Sequence, residues 1–372
     1  DPRAPTILYA GTAAHGLYKT TDGGNTWMDT HLPVTNTVTL AIDPKTPETV
    51  YVGVGKPGLF KSTDGGQSWE QANAGIGEAA IWSLTVDPQQ PQTLYAGVWG
   101  RGLWRSTDGA QSWTQISKAL SNTNNLTGTH VMAIAVDPTD SDHLLATTMD
   151  DIEKQAGRRF VQSWDGGETW EIITSKFGRA IAVAPTDPRR IYSGFYPHPD
   201  DTGSGLHRTS DGGQTWEHVY SAMTFYALTV DPGDPDVLYA GTSDGLYTSV
   251  NAGETWKQAG NVEGLFFVLA ADPSTPGTVY AGAVGGPNSF TPPPGGIFKT
   301  VDGGNSWFPA NRGPELTDLP ADVFVLASDP DDPQMIWLCT QEGLYRSTDG
   351  GQSWQWASSD LPPFETRAII LN

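Results

Sequence analysis

Ser347-Thr348-Asp349-Gly350-Gly351-Gln352-Ser353-Trp354 is the stretch on which the reading of this chain turns. The same octet, Ser/Thr-x-Asp-Gly-Gly-x-Ser/Thr-Trp, begins also at Thr20, Ser62, Ser106, Ser163, Thr209, Ser249 and Thr300, eight copies in all. Drift is slight: Ala110 replaces the second Gly once, and one copy reads Asn251-Ala252 for Asp-Gly. Asp and Ser/Thr side chains hydrogen-bond the backbone of their own turn. Gly supplies backbone angles closed to other residues. The octet therefore predicts a tight hairpin turn. Its closing Trp is a large apolar anchor with one N–H to satisfy, expected to pin the turn onto the sheet it came from. Asp22, Asp64, Asp108, Asp165, Asp211, Asn251, Asp302 and Asp349 are accordingly expected to hold turns and not to do chemistry.

Outward from each octet a longer unit repeats. Leu84-Thr85-Val86-Asp87-Pro88 is followed by Leu94-Tyr95-Ala96-Gly97, by Gly102-Leu103-Trp104-Arg105, and then by the octet. Short runs rich in Val, Leu, Tyr and Thr, bounded by Gly, Pro or Asp, are strand and hairpin signals. Asp-Pro heads the first turn at Asp1, Asp43, Asp87, Asp137, Asp231, Asp272 and Asp329, and Ala184-Pro185 takes that place in the fifth repeat. Octet-to-octet spacing runs from 40 to 57 residues. Four strands in a unit of that length read as one propeller blade. Asp1-Pro2 falls at the first turn, so the first repeat lacks its leading strand. Thr366-Arg367-Ala368-Ile369-Ile370-Leu371 is a leading strand without a unit. The expectation is an all-β, single eight-bladed β-propeller of four-stranded blades spanning 1–372, closed by the C-terminal strand completing the first blade. Seven blades with a stray repeat is the alternative.

The octet resembles the Asp-box, or BNR repeat. Sialidases carry Asp-boxes on six blades, with an Arg-Ile-Pro motif that is absent here. Xyloglucanase-type glycosidases resemble this repeat more closely, and that resemblance implies two facing propellers with a catalytic Asp from each. Sortilin-type receptors pair ten blades with a Cys-rich module, which a chain with one cysteine excludes. In texture the repeats are most similar to photosystem II stability/assembly factor-like proteins, which implies a binding propeller without enzymatic activity.

Charge narrows the partners. The chain carries 42 acidic against 21 basic residues, a net charge of −21. Seven Asp lie in octets and seven in Asp-Pro turns. The balance argues against general nucleic-acid or anionic-membrane binding, which need a basic surface. Cys339 is the only cysteine, so neither an internal disulfide nor a Cys-based zinc site is possible. No apolar run is long enough to span a bilayer, and no signal peptide is present. The expectation is an extracytoplasmic, secreted or periplasmic protein whose signal peptide has been removed.

Octets and Asp-Pro turns fall at one end of each blade. The other end carries the irregular segments: Met149 to Phe160, Phe195 to Gly205, Val284 to Gly296, Gln115 to His130 and Phe308 to Asp322. Variable loops on a rigid scaffold commonly carry binding sites, so this is the candidate functional end. Five residues before each Asp-Pro site stand Val38, Trp82, Met132, Arg179, Tyr226, Phe267, Phe324 and Arg367. Strand alternation predicts that most of them pack between blades. Arg179 and Arg367 break that apolar pattern. Trp99 and Arg101 lie on a loop near Trp82, and an aromatic face beside Arg suits a sugar, a carboxylate or a peptide. The candidate binding residues are therefore Trp82, Trp99, Arg101, Arg179, Tyr226 and Arg367.

No catalytic motif is present, so no catalytic residue is assigned. The histidines, His15, His31, His130, His143, His198, His207 and His218, show no metal-ligand spacing. No cofactor is expected. Asp150, Asp151, Asp200 and Asp201 are weak Ca²⁺ candidates. The reading is a non-enzymatic binding or assembly propeller that presents its loop-rich end to a protein or glycan. The alternative is a glycoside hydrolase using loop carboxylates such as Asp150, Asp200, Asp244 or Glu342, with two held about 5–10 Å apart.

Overall fold

The octet is a self-contained hydrogen-bond circuit. In the copy at Ser347, the Ser347 Oγ donates to Asp349 Oδ1 at 2.8 Å and accepts from the Gly351 N–H at 2.8 Å. Asp349 then accepts from the Ser353 N–H at 2.8 Å and the Ser353 hydroxyl at 2.5 Å. Gly350 and Gly351 have φ of 68° and 81°, the left-handed region. Ala110 and Ala252 hold the same conformation at φ 67° and 55°, at a cost of about 1–2 kcal/mol each for a residue with a Cβ. Asn251 keeps the circuit without a charge, accepting from the Thr255 N–H and donating to the Thr255 hydroxyl, both at 3.0 Å.

These turns close eight four-stranded antiparallel sheets, seen in a computed structural model of the chain. It describes all residues except 2, 5, 13, 117–129, 150–157, 175–177, 196–204, 261, 263, 285–295, 311–322, 330–331, 341–342, 358–365 and 370–372. The side chains of 149, 158–159, 174, 178–179, 195, 284, 324 and 366–369 also fall outside the description. The irregular segments singled out in the sequence lie largely outside the described residues, as do Asp150, Asp151, Asp200, Asp201 and Glu342.

The architecture is all-β, made of eight blades of the β-propeller type, with no helix among the described residues. Seven blades are meanders of four consecutive strands. In the first, the strand Thr366–Ile369 pairs with Leu8–Thr12, which continues to Leu17–Thr20 and Met28–Asp29. The C-terminal strand thus completes the first blade, as expected. The chain divides into two compact units: Asp1–Phe177 with Arg367–Ile370, holding blades 1 to 4, and Gly178–Thr366 with Leu371–Asn372, holding blades 5 to 8.

Within each unit the core sits between adjacent blades. Tyr51 and Leu59 of blade 2 pack with Ile81, Leu94 and Val98 of blade 3. Tyr280 and Ile297 of blade 7 pack with Leu338, Tyr345 and Trp354 of blade 8. Each fully buried aliphatic side chain there contributes about 1.5–3 kcal/mol.

The expectation that most of Val38, Trp82, Met132, Tyr226, Phe267 and their equivalents pack between blades holds only in part: Tyr226 and Phe267 meet edge-on across blades 6 and 7, Val38 and Met132 are half-buried, and Trp82 is exposed. A register shift falls at this position in six blades, between Thr37/Thr39, Ile81/Ser83, Val131/Ala133, Gly178/Ala180, Phe266/Val268 and Val323/Val325. The bulge takes up one residue and resets the alternation. The residue before it is the buried one: Thr37, Ile81, Val131, Phe266 and Val323 are at most 2% exposed. It fits a notch left by Gly on the second strand of the preceding blade. A Cβ on Gly97 would stand 2.6 Å from the Val131 carbonyl oxygen, and one on Gly241 2.5 Å from that of Phe266.

Two further contacts join blades and were not evident in the sequence. Lys19, Lys61, Arg105, Arg208 and Lys299, each just before an octet, donate to carbonyls of Gly65, Gly109, Gly166, Ala252 and Gly350 in the next blade's octet, at 2.7–3.3 Å. The octet Trp was expected to pin its own sheet. Trp170 and Trp256 do turn back, donating to Gly167 and Gly253. Trp69, Trp113 and Trp354 instead reach across to Thr30, Ala72 and Ala310 of the preceding blade, at 3.2, 3.0 and 2.7 Å. There the indole is wide enough to cross the seam that its own turn borders.

Candidate functional site

Blade 3 builds an exposed site on its first-strand bulge. The bulge after Ile81 turns Trp82 outward, leaving it 38% exposed. The second strand, Leu94–Val98, ends directly in Trp99, whose N–H donates to Ala80 at 2.9 Å and whose side chain is 40% exposed. The rings of Trp82 and Trp99 lie 4.7 Å apart at 31°. His130, on the first strand of blade 4, adds a third ring, 3.7 Å from Trp99. The Gly100 N–H donates to His130 Nδ1 at 3.0 Å, which assigns the ring proton of the neutral imidazole to Nε2. Gly100 holds φ 67°, the angle that lets the turn after Trp99 reach the imidazole.

Arg101 follows at once. Its Nη1 donates to the Ile76 carbonyl at 2.9 Å, and its own carbonyl accepts from Gln115 Nε2 at 2.7 Å and Trp104 Nε1 at 3.3 Å. Arg101 is exposed, and this described side-chain bond, to a neutral acceptor, fixes its charged guanidinium at the Ile76 carbonyl. The structure thus brings together the rings of Trp82 and Trp99 and adds His130, which the sequence reading had passed over; Arg101 follows Trp99 by two residues and directs its guanidinium to the Ile76 carbonyl. The signal for His130 was its place at the head of a first strand.

The other candidates lie on other blades. Tyr226 lies in the second unit, half-buried and edge-on to Phe267 at 4.7 Å. Arg179 and Arg367 belong to first strands of blades 5 and 1, and their side chains lie outside the described residues. Asp244 is taken up by a turn, accepting from the Thr242 hydroxyl at 2.7 Å and the Tyr247 hydroxyl at 3.0 Å.

Concave space lies at the octet end. A groove of about 410 Å³ between blades 5 and 6 is lined by Arg190, Arg208, Glu217, Asp236 and Glu254. Its arginines are engaged by those carboxylates. A groove of about 430 Å³ lies at the equivalent seam between blades 1 and 2. The octet carboxylates are held well below their usual range, chiefly by the hydroxyl and N–H of the Ser/Thr four residues on. Asp108 and Asp211 fall to about 2. Groups so fully hydrogen-bonded as anions are poor proton donors near neutral pH.

Together these features define a β-propeller with turn-locked carboxylates at one end of its blades and, on blade 3, an exposed pair of tryptophans at the other. Residues 58–197 match the family of sortilin, the Vps10 domain protein also called neurotensin receptor 3, a stretch shorter than half of the chain. A xyloglucanase from Paenibacillus sp is 27% identical over 275 residues, covering 60% of this chain and 26% of that protein. The chain therefore spans about a quarter of that relative's length. Among solved structures, an ancestral GH74 enzyme superposes with a TM-score of 0.54 at 17% identity, covering 97% of this chain and 54% of its own. YCF48 bound to D1 peptide gives a TM-score of 0.51 at 17% identity, covering 84% of this chain and 91% of its own. The likeness to these structures is one of fold. No helix among the described residues is long and apolar enough to cross a membrane.

Proposed function

We propose that the chain is a non-enzymatic binding or assembly module, one β-propeller domain over 1–372, whose octets are Asp-boxes and whose loop-bearing end receives a protein or glycan outside the cytoplasm. The carrying observation is the exposed pair Trp82 and Trp99 stacked on the buried His130, with the exposed, tethered Arg101 two residues after Trp99. Indole faces stack on sugar rings or on peptide side chains, and a fixed guanidinium reads a carboxylate or a row of hydroxyls. The likeness to YCF48, a propeller solved with a peptide, supports the binding class. So does the engagement of octet carboxylates in turns. Arg179, Tyr226 and Arg367 extend the candidate surface in this reading.

The test is calorimetric titration with xyloglucan oligosaccharides and with peptides. Changing Trp99 and Arg101 together to Ala should weaken binding at least about tenfold at an unchanged melting temperature. Equal affinity in the folded double variant would remove the patch from the site. The sequence likeness to a xyloglucanase favours a second reading, glycoside hydrolysis. Release of reducing sugar from xyloglucan that disappears when one loop carboxylate is changed would establish it in place of the first.

A further inference from the structure

Blade 5 breaks the pattern of its neighbours along one row of side chains. On the third and fourth strands, Leu206–Thr209 and Glu217–Tyr220, His207 pairs with His218. Their ring centroids are 4.9 Å apart, with planes at 43°. One strand further in, Ser193 stands directly opposite His207. Ser193 is fully buried, and its Oγ has no hydrogen-bond partner among the described residues. The same two places, Ser193 and His207, are apolar in every other blade: Ala96 and Trp104 in blade 3, Ala240 and Tyr247 in blade 6, Ala281 and Phe298 in blade 7. Ser and His at two places elsewhere filled by aliphatic and aromatic groups forfeit hydrophobic burial and bury a hydroxyl, while the place of His218 is polar also in blades 1, 2, 3 and 6, as Asp29, Gln71, Gln115 and Gln258. Ligand binding is the use that offsets such a loss.

We infer that His207 and His218 form a chelate for a divalent transition ion of the Zn²⁺, Ni²⁺ or Cu²⁺ class. Imidazole nitrogen suits these ions. With metal–nitrogen bonds of about 2.1 Å, two imidazoles sharing one ion near a right or tetrahedral angle place their centroids about 5 Å apart. The observed pair stands at that separation. No group of three or more His, Cys, Asp or Glu comes together among the described residues, so water completes the coordination. The Ser193 hydroxyl sits on the same row, directly opposite His207. The sequence reading found no metal-ligand spacing among the histidines. The whole octet at Thr209 separates these two, and only the hairpin register pairs them. The inference is independent of the patch on blade 3.

Untagged protein stripped with a chelator and titrated with Zn²⁺, Ni²⁺ or Cu²⁺ at neutral pH should bind one ion per chain. His218→Ala and His207→Ala should each weaken that binding at least about tenfold. Ser193→Ala should weaken it less. His218 is exposed, so its variant should melt as the parent does. In spectra of ¹⁵N-histidine protein, substoichiometric Ni²⁺ or Cu²⁺ should broaden His207 and His218 first. Absence of 1:1 binding, unchanged affinity in His218→Ala, or broadening centred on other histidines overturns the inference.

Discussion

Trp354→Ala tests the claim that octet tryptophans hold one blade to the next. Trp354 is 0% exposed and packs in blade 8 against Tyr280, Ile297 and Leu338. Its Nε1 reaches Ala310 of blade 7 at 2.7 Å. Truncation removes nearly the whole indole from a packed seam, a change that costs about 3–5 kcal/mol through lost transfer and the cavity left behind. The orphaned Ala310 carbonyl adds about 1 kcal/mol. Trp354→Phe separates the two, since it keeps a ring in the seam and loses the donor, for about 1–2 kcal/mol. Urea unfolding followed by far-ultraviolet circular dichroism measures both without relying on indole emission. At a slope near 3 kcal/mol/M, the Ala variant should move the midpoint down by more than about 1 M and the Phe variant by about half of that or less. Equal midpoints for the two variants, or an Ala variant within about 0.3 M of the parent, would show that the indole carries no inter-blade load.

Acid should unfold the protein in a window set by the octets. The carboxyls of Asp22, Asp64, Asp108, Asp165, Asp211, Asp302 and Asp349 are all lowered in the fold. A depressed folded value means that this stability is fully present above the unfolded carboxyl value of about 3.9 and is lost as pH falls through the folded one. With Asp108 and Asp211 at about 2, the loss should run between about pH 4 and pH 2 in near-ultraviolet dichroism; a fold unchanged at pH 2 contradicts it. Asn251→Asp should raise the melting temperature at neutral pH and steepen that acid transition, because a carboxylate accepts the Thr255 hydroxyl in a charge-assisted bond. Ala110→Gly should stabilise by about 1 kcal/mol by relieving the left-handed φ of 67°; a lowered melting temperature would refute the strain. Deleting residues 366–372 should lower the melting temperature sharply, since Leu8–Thr12 loses its paired strand, and a truncated chain that melts like the full one would show that this pairing contributes nothing.

How much was legible in the sequence follows from the distance over which each interaction acts. The octet circuit closes within eight residues, so Ser347, Asp349, the two glycines and Ser353 declare it by their order alone. Repetition of that circuit, with a Pro-marked turn between short apolar runs, settles the four-stranded blade and the count of eight, and the matching leading strand at Thr366 settles which blade is split between the chain ends. Sequence also singled out Trp82, Trp99 and Arg101, because two of them are neighbours on one short loop. What it could not contain was the bulge that turns Trp82 out, since alternation assumes an unbroken pleat and the bulge arises from how Ile81 fits the notch at Gly53 in the neighbouring blade. For the same reason the sequence did not reveal that Trp354 reaches Ala310, that Lys299 reaches Gly350, that His130 joins Trp99, or that His207 meets His218. Each is a pairing across strands or blades, and register and packing, which no local pattern records, decide which side chains meet.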